Sequence, residues 1–333
     1  MKSLPLLKNP QIYQTIFLMI ILNIGILVYD IYFDYTKLFL TFGSAALFDT
    51  LLYRYIVGKW RFPFTGINVG FGIAFFLRTK LLWLYPFAVF LALASKYFFR
   101  IRGKHFFNPS NFGVFVVLVL FPFVAWTDPL QWGSVYTNIE TSSFWIFCII
   151  LAFGGYIISL VHKSLKIDIL YIVLAFLITH FGIYFTLTQE TSFLSLLSGN
   201  TTSFLTFYTP SFWIFVFYMI TDPGTILRNR ISMIFFGALV AVGFYLLQYY
   251  INENYSLLAS LFLASIFIPV IRFYDTKKLY YKITIGNVIA IFMFLFVFVQ
   301  FLYTIGSNGK PDLVFDNRCA QIVCGSNGSL ISR

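Results

Sequence analysis

The sequence predicts an all-α polytopic membrane protein with about 10–11 transmembrane helices. Of the 333 residues, 59% are hydrophobic and only 11% are charged. The mean hydropathy is +0.84, which is far from the composition of soluble domains. Long apolar runs recur along most of the chain and are separated by short polar loops. These three observations favour helices that cross a bilayer.

The predicted spans follow the apolar runs in chain order. They are residues 12–29, 38–57, 62–77, 81–99, 111–126, 144–161, 168–187, 205–220, 231–250, 255–271 and 283–305. Several lie near the lower limit of about 17 residues for a spanning helix, so we expect some to be tilted or broken. A membrane domain over residues 1–305 and a short tail over residues 306–333 follow from this division.

Loop charges predict the topology. With a cytoplasmic N-terminus, the predicted cytoplasmic segments contain most cations: Lys2, Lys8, Lys59, Arg61, Lys96, Arg100, Arg102, Lys104, Lys163, Lys166, Arg228, Arg230, Arg272, Lys277, Lys278 and Lys282. Most acids fall on the other side: Asp30, Asp34, Asp128, Glu140, Glu190, Glu253, Asp312 and Asp316. This asymmetry obeys the positive-inside rule and predicts an extracytoplasmic C-terminal tail. It also accounts for the net charge of +11 without a nucleic-acid partner.

The three cysteines predict no metal site. Cys148 lies in an apolar run, where a packing role is expected. Cys319 and Cys324 lie in the predicted extracytoplasmic tail, and two alternatives remain open for them. They form a disulfide in an oxidising compartment, or they are two free thiols.

Asp49 is the most unusual ionisable residue, since it lies inside the second predicted span. A charged group at such a depth is costly and is a functional candidate. Asp49 is either an ion or proton ligand or a structural partner of a helix end. Arg54, five residues later, is expected to extend to the cytoplasmic surface.

The three histidines do not predict haem. A b-type haem needs two histidines at matching depth on facing helices, but His162 lies at the end of its span and His180 about 18 Å into the next, at ~1.5 Å per residue. His105 lies in a basic loop, where we expect it to be solvated.

Two proline-containing helix breaks are the most distinctive local features. Asn108 precedes Pro109, a pair typical of an N-cap and the first helical turn, and Gly113 permits close approach of a backbone or ligand. Asp222 is the second residue of a Thr-Asp-Pro-Gly sequence, which is either a capped turn or a helix start whose free N–H groups hold a phosphate or carbonyl. Gly154 and Gly155 favour either close helix packing or space for a flat cofactor.

These three segments and a fourth, LLSGNTT, resemble one family in the same order. FFNPSNFGVF resembles the FNP-x-x-x-G segment of the RnfD/NqrB family, the membrane subunits of the Rnf electron-transport complex and of the sodium-translocating NADH:quinone oxidoreductase. LAFGGYIISLVHKSLKIDI, LLSGNTT and FYMITDPGTILRNR resemble its GG helix, LLSGG and FFMATDP-x-x-x-P segments. The resemblance covers residues 60–250.

The resemblance implies a bundle of two related halves in a bacterial inner membrane, with other membrane or envelope subunits as partners. It implies FMN or riboflavin as cofactor, and electron transfer coupled to Na⁺ or H⁺ movement. The family's SGAT motif, whose Thr carries FMN covalently, is absent here, and neither Thr137 nor Thr141 matches it. A flavin would therefore be held non-covalently, and the last span, from about Lys282, has no counterpart in the family.

Two main functions follow as expectations. In the first, the chain is a flavin-binding redox subunit with Asn108 and Asp222 as polar contacts. Gly113, Gly154 and Gly155 then provide space, and Asp49 is the candidate ion ligand. In the second, the chain is a non-redox scaffold or anchor of a larger envelope complex, which the missing SGAT motif favours. A solute transporter is a third alternative, but midplane polar residues beyond Asp49 are scarce.

Overall fold

A computed structural model describes residues 10–28, 34–101, 103–127, 142–165, 168–188, 210–222, 224–225, 227, 229–248 and 253–276. These residues are mainly helical, and the helices are α1 (Pro10–Val28), α2 (Tyr35–Val57), α3 (Phe64–Phe76), α4 (Leu84–Phe98), α5 (Pro109–Leu120), α6 (Ser142–Leu165), α7 (Leu170–Thr188), α8 (Pro210–Ile214), α9 (Arg230–Gln248) and α10 (Glu253–Thr276). A π-helical turn over Phe215–Met219 continues α8.

Two short antiparallel pairs connect the loops around α3, α4 and α5. At one end of these helices β1 (Arg78–Thr79) pairs with β4 (Ala125–Trp126). At the other end β2 (Arg100–Ile101) pairs with β3 (Lys104–His105).

The apolar helices confirm the prediction of an all-α membrane protein. The helices α1, α9 and α10 are each long and apolar enough to cross a bilayer, and several shorter apolar helices accompany them. Large apolar side chains are widely exposed on the helices, including Leu27 (78%), Phe39 (77%) and Ile231 (74%). Water is an unfavourable neighbour for so much apolar surface, whereas lipid is not. The number of spans remains a prediction.

Three short apolar helices form much of the core. The helices α3, α4 and α5 have 13, 15 and 12 residues, which at ~1.5 Å per residue is shorter than a bilayer core of ~30 Å. All of α5 except its last residue is buried. These helices can be short because most of their residues are buried against other protein elements rather than facing lipid.

The helix bounds differ from the predicted spans where backbone pairing competes with the helix. The predicted span 111–126 ends as a helix at Leu120. The chain then turns at Phe121 so that Ala125 and Trp126 can pair with Thr79 and Arg78. An apolar composition cannot distinguish such a strand from the last turn of a helix.

Close helix contacts occur at glycines. A Cβ atom on Gly113 of α5 would overlap the Ala88 carbonyl oxygen of α4, and a Cβ atom on Gly66 of α3 would overlap the Ala45 carbonyl oxygen of α2. Absence of a side chain allows these backbones to touch. The core therefore holds α2, α3, α4 and α5 together at the separation on which the site depends.

Several predictions fall outside the described residues. These are the last span over residues 283–305, the tail over residues 306–333 with Cys319 and Cys324, and Thr137 and Thr141 in their loop.

Candidate functional site: a polar cavity at one end of the helices

A cavity of about 310 Å³ lies where α1, α3 and α5 begin and where α4 and the π turn end. This volume is at the lower limit for small-molecule sites. Its polar lining residues are Gln11, Gln14, Thr65, Asn68, Lys96, Lys104, His105, Asn108, Ser110, Thr221 and Asp222. Its apolar lining residues include Leu18, Val69, Phe75, Ile157, Val161, Ile214, Phe217, Tyr218 and Met219. The cavity thus combines an apolar, partly aromatic wall with converging polar groups.

Asn108 joins the two helix breaks. Its side-chain oxygen accepts a hydrogen bond from the Asn111 backbone N–H at 3.0 Å, which confirms the predicted N-cap of α5. Its amide nitrogen donates to the Met219 carbonyl oxygen at 3.0 Å, at the end of the π turn. One buried amide therefore caps one helix and satisfies the carbonyl of another, across 111 residues of chain.

The second helix break, at Asp222, is a turn. Its carboxylate accepts a hydrogen bond from the Gly224 N–H at 2.9 Å, and its backbone carbonyl accepts one from the Thr225 N–H at 3.0 Å. Residues 224–225 belong to a turn, so Asp222 stabilises a turn here rather than a described helix.

His105 contacts the same carboxylate. Its Nε2 lies 3.1 Å from the Asp222 Oδ2, and only 15% of the His105 side chain is exposed. The expectation that His105 is solvated is therefore wrong. A Cβ atom on Gly224 would overlap the His105 imidazole, so glycine is required for this approach.

Burial alone would raise the pKa of the Asp222 carboxyl, but the His105 imidazole and the Gly224 N–H together hold that pKa below its usual value. Arg272 of α10 holds this turn against the β2–β3 hairpin, since it donates to the Gly224 carbonyl at 2.8 Å and to the His105 carbonyl at 3.3 Å. Because its pKa is lowered, the Asp222 carboxyl stays ionised at neutral pH at the edge of the cavity.

Side-chain amides and hydroxyls of α1 and α3 form another wall of the cavity. Thr15 donates to the Asn68 side-chain oxygen at 2.7 Å, and the Asn68 amide donates to the Gln11 carbonyl at 3.2 Å. The side-chain oxygen of Gln14 lies 3.5 Å from the same amide. These groups offer donors and acceptors close to one another at the start of α1.

The π turn supplies the aromatic side of the cavity. Phe217 packs against Gly154 of α6, where a Cβ atom would lie 2.5 Å from the ring. Tyr218 is 6% exposed, and its hydroxyl has no hydrogen-bond partner among the described residues. Since buried hydroxyls are usually paired, this hydroxyl is a buried polar group left unsatisfied among the described residues.

Asp49 lies at the centre of a buried charge cluster next to the cavity. Its carboxylate accepts hydrogen bonds from Tyr97 at 2.7 Å, from the Gly66 N–H at 3.1 Å, from Arg61 at 3.2 Å and from Lys96 at 3.3 Å. We call Asp49, Arg61, Lys96 and Tyr97 the Asp49 cluster. A cation bound by Asp49 would have to displace one of these donors, so the contacts favour the structural alternative. Its role as ion ligand stays a prediction.

The predicted cofactor residues fall into two groups. Asn108 and Asp222 both line the cavity. The three glycines do not: Gly113 packs against α4, Gly154 packs against Phe217, and Gly155 is exposed with nothing within 4 Å of a Cβ atom. Gly154 shapes the cavity indirectly, through Phe217. For all five residues, the role as cofactor contact stays a prediction.

Sequence reasoning misses Lys96, Tyr218 and the amides of α1. From the sequence, Lys96 counts among the loop cations that set the topology. In the structure this residue is only 6% exposed and lines the cavity. Its place in the last turn of an apolar helix, before the loop begins, is the available signal. No local pattern marks Tyr218 or Gln14.

Among the described residues, no group of three or more His, Cys, Asp or Glu is arranged to hold a metal ion. His162 contacts Asp168, while His180 is buried and stacks on Phe176.

The sequence matches no protein-family model, and no curated protein shows significant similarity to it.

Proposed function

We propose that this chain is the membrane subunit of an Rnf- or NADH:quinone-oxidoreductase-like electron-transport system, and that it binds FMN or riboflavin non-covalently in the cavity. The observation that carries this proposal is the position of Asn108 and Asp222. They belong to the two segments that most resemble the family, and both line the same cavity. The segments are linked by the bond from Asn108 to the Met219 carbonyl.

The lining suits a flat, amphipathic ring system. Phe217 and Tyr218 provide aromatic surface for stacking, while Gln14 and Asn68 provide hydrogen-bonding groups. A bound isoalloxazine would supply one- and two-electron transfer. The residues of the chain would orient the ring, and the apolar wall would exclude water from it.

The test is the flavin content of the purified, detergent-solubilised protein. We expect a visible flavin absorbance band, and flavin released by denaturation at close to one molecule per chain. Gln14→Trp would place a large ring in the cavity and should remove most of the flavin. Met19→Trp is the matched control, because Met19 lies on the same helix but is 54% exposed and does not line the cavity.

Protein without flavin, which also fails to bind added flavin, would overturn the proposal. It would favour a scaffold or anchor within a larger envelope complex, and stoichiometric partners without a redox centre would strengthen that alternative. A Gln14→Trp protein that retains as much flavin as Met19→Trp would show that flavin does not bind in the cavity.

A further inference from the structure

Positive charge exceeds negative charge in the Asp49 cluster. The single Asp49 carboxylate contacts two cations, with the Arg61 guanidinium at 3.2 Å and the Lys96 ammonium at 3.3 Å. The side chain of Arg61 is 33% exposed, so surrounding solvent or headgroups can compensate its charge. The Lys96 side chain is only 7% exposed, so bulk solvent compensates its charge far less. Two cations therefore share one carboxylate within the cluster, and Asp49 compensates the buried Lys96 charge only in part.

Lys96 is also the member of the Asp49 cluster that lines the cavity. Lys104, on the β2–β3 hairpin, contributes a second cation to the lining. The carboxylate that faces the cavity, Asp222, is engaged by His105, by the Gly224 N–H and electrostatically by Lys96 and Arg272. The two carboxylates Asp49 and Asp222 therefore face four cations, which are Arg61, Lys96, Lys104 and Arg272. The polar end of the cavity is therefore positive, and an anion there would complete the charge balance.

We propose that this end of the cavity is a phosphate-binding subsite in which Lys96 is the principal cation and Lys104 the second. For flavin ligands, this subsite rests on the proposed function. A flavin mononucleotide would place its phosphate here, whereas riboflavin has no phosphate. A phosphate ester of an anionic lipid headgroup offers the same chemistry, and the location at the helix ends allows either source.

The first experiment compares FMN with riboflavin on delipidated protein by quenching of flavin fluorescence. We expect wild-type protein to bind FMN at least about tenfold more tightly, the size of one charge-assisted hydrogen bond. Lys96→Gln should remove most of the preference for FMN, and Lys96→Arg should retain most of it. Lys163→Gln, which removes an exposed cation of α6 outside the cavity, is the matched control and should behave as wild type.

Equal wild-type affinities for FMN and riboflavin, or an unchanged preference in Lys96→Gln, would overturn the inference for a flavin phosphate. Lys104→Gln covers the case in which Lys96→Gln does not fold, and it should reduce the preference by a smaller factor. If Lys104→Gln binds both flavins as wild type does, the second cation is wrongly assigned.

The second experiment separates this inference from the proposed function. If neither flavin binds, the proposed function fails, and inorganic phosphate becomes the probe. Phosphate should then raise the Tm of wild-type protein above that in chloride of equal ionic strength, but not that of Lys96→Gln. Mass analysis of co-purified lipid tests the headgroup source, with anionic phospholipid retained by wild type and lost from Lys96→Gln. If phosphate and lipid both fail to distinguish the two proteins, the subsite does not exist.

Discussion

Asp49 and Asp222 are two largely buried carboxylates at the same end of the helices, yet their surroundings differ. Asp49 is 0% exposed and accepts hydrogen bonds from four residues on α3, on α4 and in the loop between α2 and α3. Asp222 is 17% exposed and contacts one imidazole and one backbone N–H. A carboxylate surrounded by donors fixes the elements that supply them, whereas a carboxylate with an open side can still respond to a ligand. This difference indicates a structural role for Asp49, whereas Asp222 lies at the edge of the cavity, where a ligand can contact it.

The largest expected effect is that of Asp49→Asn. An amide cannot balance Arg61 and Lys96, so both cations of the cluster lose their counter-charge, and we expect a loss of about 3–5 kcal/mol in the free energy of unfolding. Denaturant titration in mixed micelles would measure it. The control is Asp168→Asn, because Asp168 pairs with the exposed His162 and Arg230 and should contribute about 0–1 kcal/mol. Equal losses for the two variants would contradict a structural role for Asp49.

An intermediate effect is expected for Gly224→Ala. The new methyl group would overlap the His105 ring and separate it from Asp222, at a cost of about 1–3 kcal/mol. Gly155→Ala is the matched control, because nothing lies within 4 Å of a Cβ atom there and alanine favours the helix. Thermal unfolding of both variants measures the difference. A Gly224→Ala protein as stable as Gly155→Ala would show that His105 and Asp222 do not need this close approach.

The smallest expected effect is the pH dependence contributed by Asp222, about 1 kcal/mol at neutral pH. Because the folded-state pKa lies below the unfolded value of about 3.9, the stabilisation is fully present above that value. It is lost as the pH falls through the lowered pKa. The Tm difference between wild type and Asp222→Asn should therefore be largest near neutral pH and shrink below about pH 4. A difference that grows on acidification would contradict the assigned direction.

Lys96 connects the two carboxylate regions. Its side chain belongs to the Asp49 cluster, but it also lines the cavity that Asp222 borders. Variation at Lys96 should therefore affect both stability and ligand choice, whereas variation at Asp49 should affect mainly stability. Measuring the two quantities on the same variants would separate these roles.

The sequence by itself determined the class of fold and the local chemistry of the helix break at Asn108. Apolar composition and run length predict membrane helices because the physical requirement is local: each run must bury its own backbone polar groups. The capping role of Asn108 was equally predictable, since its donor lies three residues away. The separation of basic and acidic loops predicted a topology from charge alone.

Only the tertiary structure decided which of the candidate residues share a site. The Lys96–Asp49 and His105–Asp222 contacts join residues 47 and 117 positions apart, distances over which no periodic pattern carries information. Gly113, Gly154 and Gly155 look alike in sequence, but their surroundings are a carbonyl oxygen, a phenylalanine ring and open space. What a residue contacts depends on how helices pack, and packing is set by the shape of the whole core rather than by neighbours in the chain.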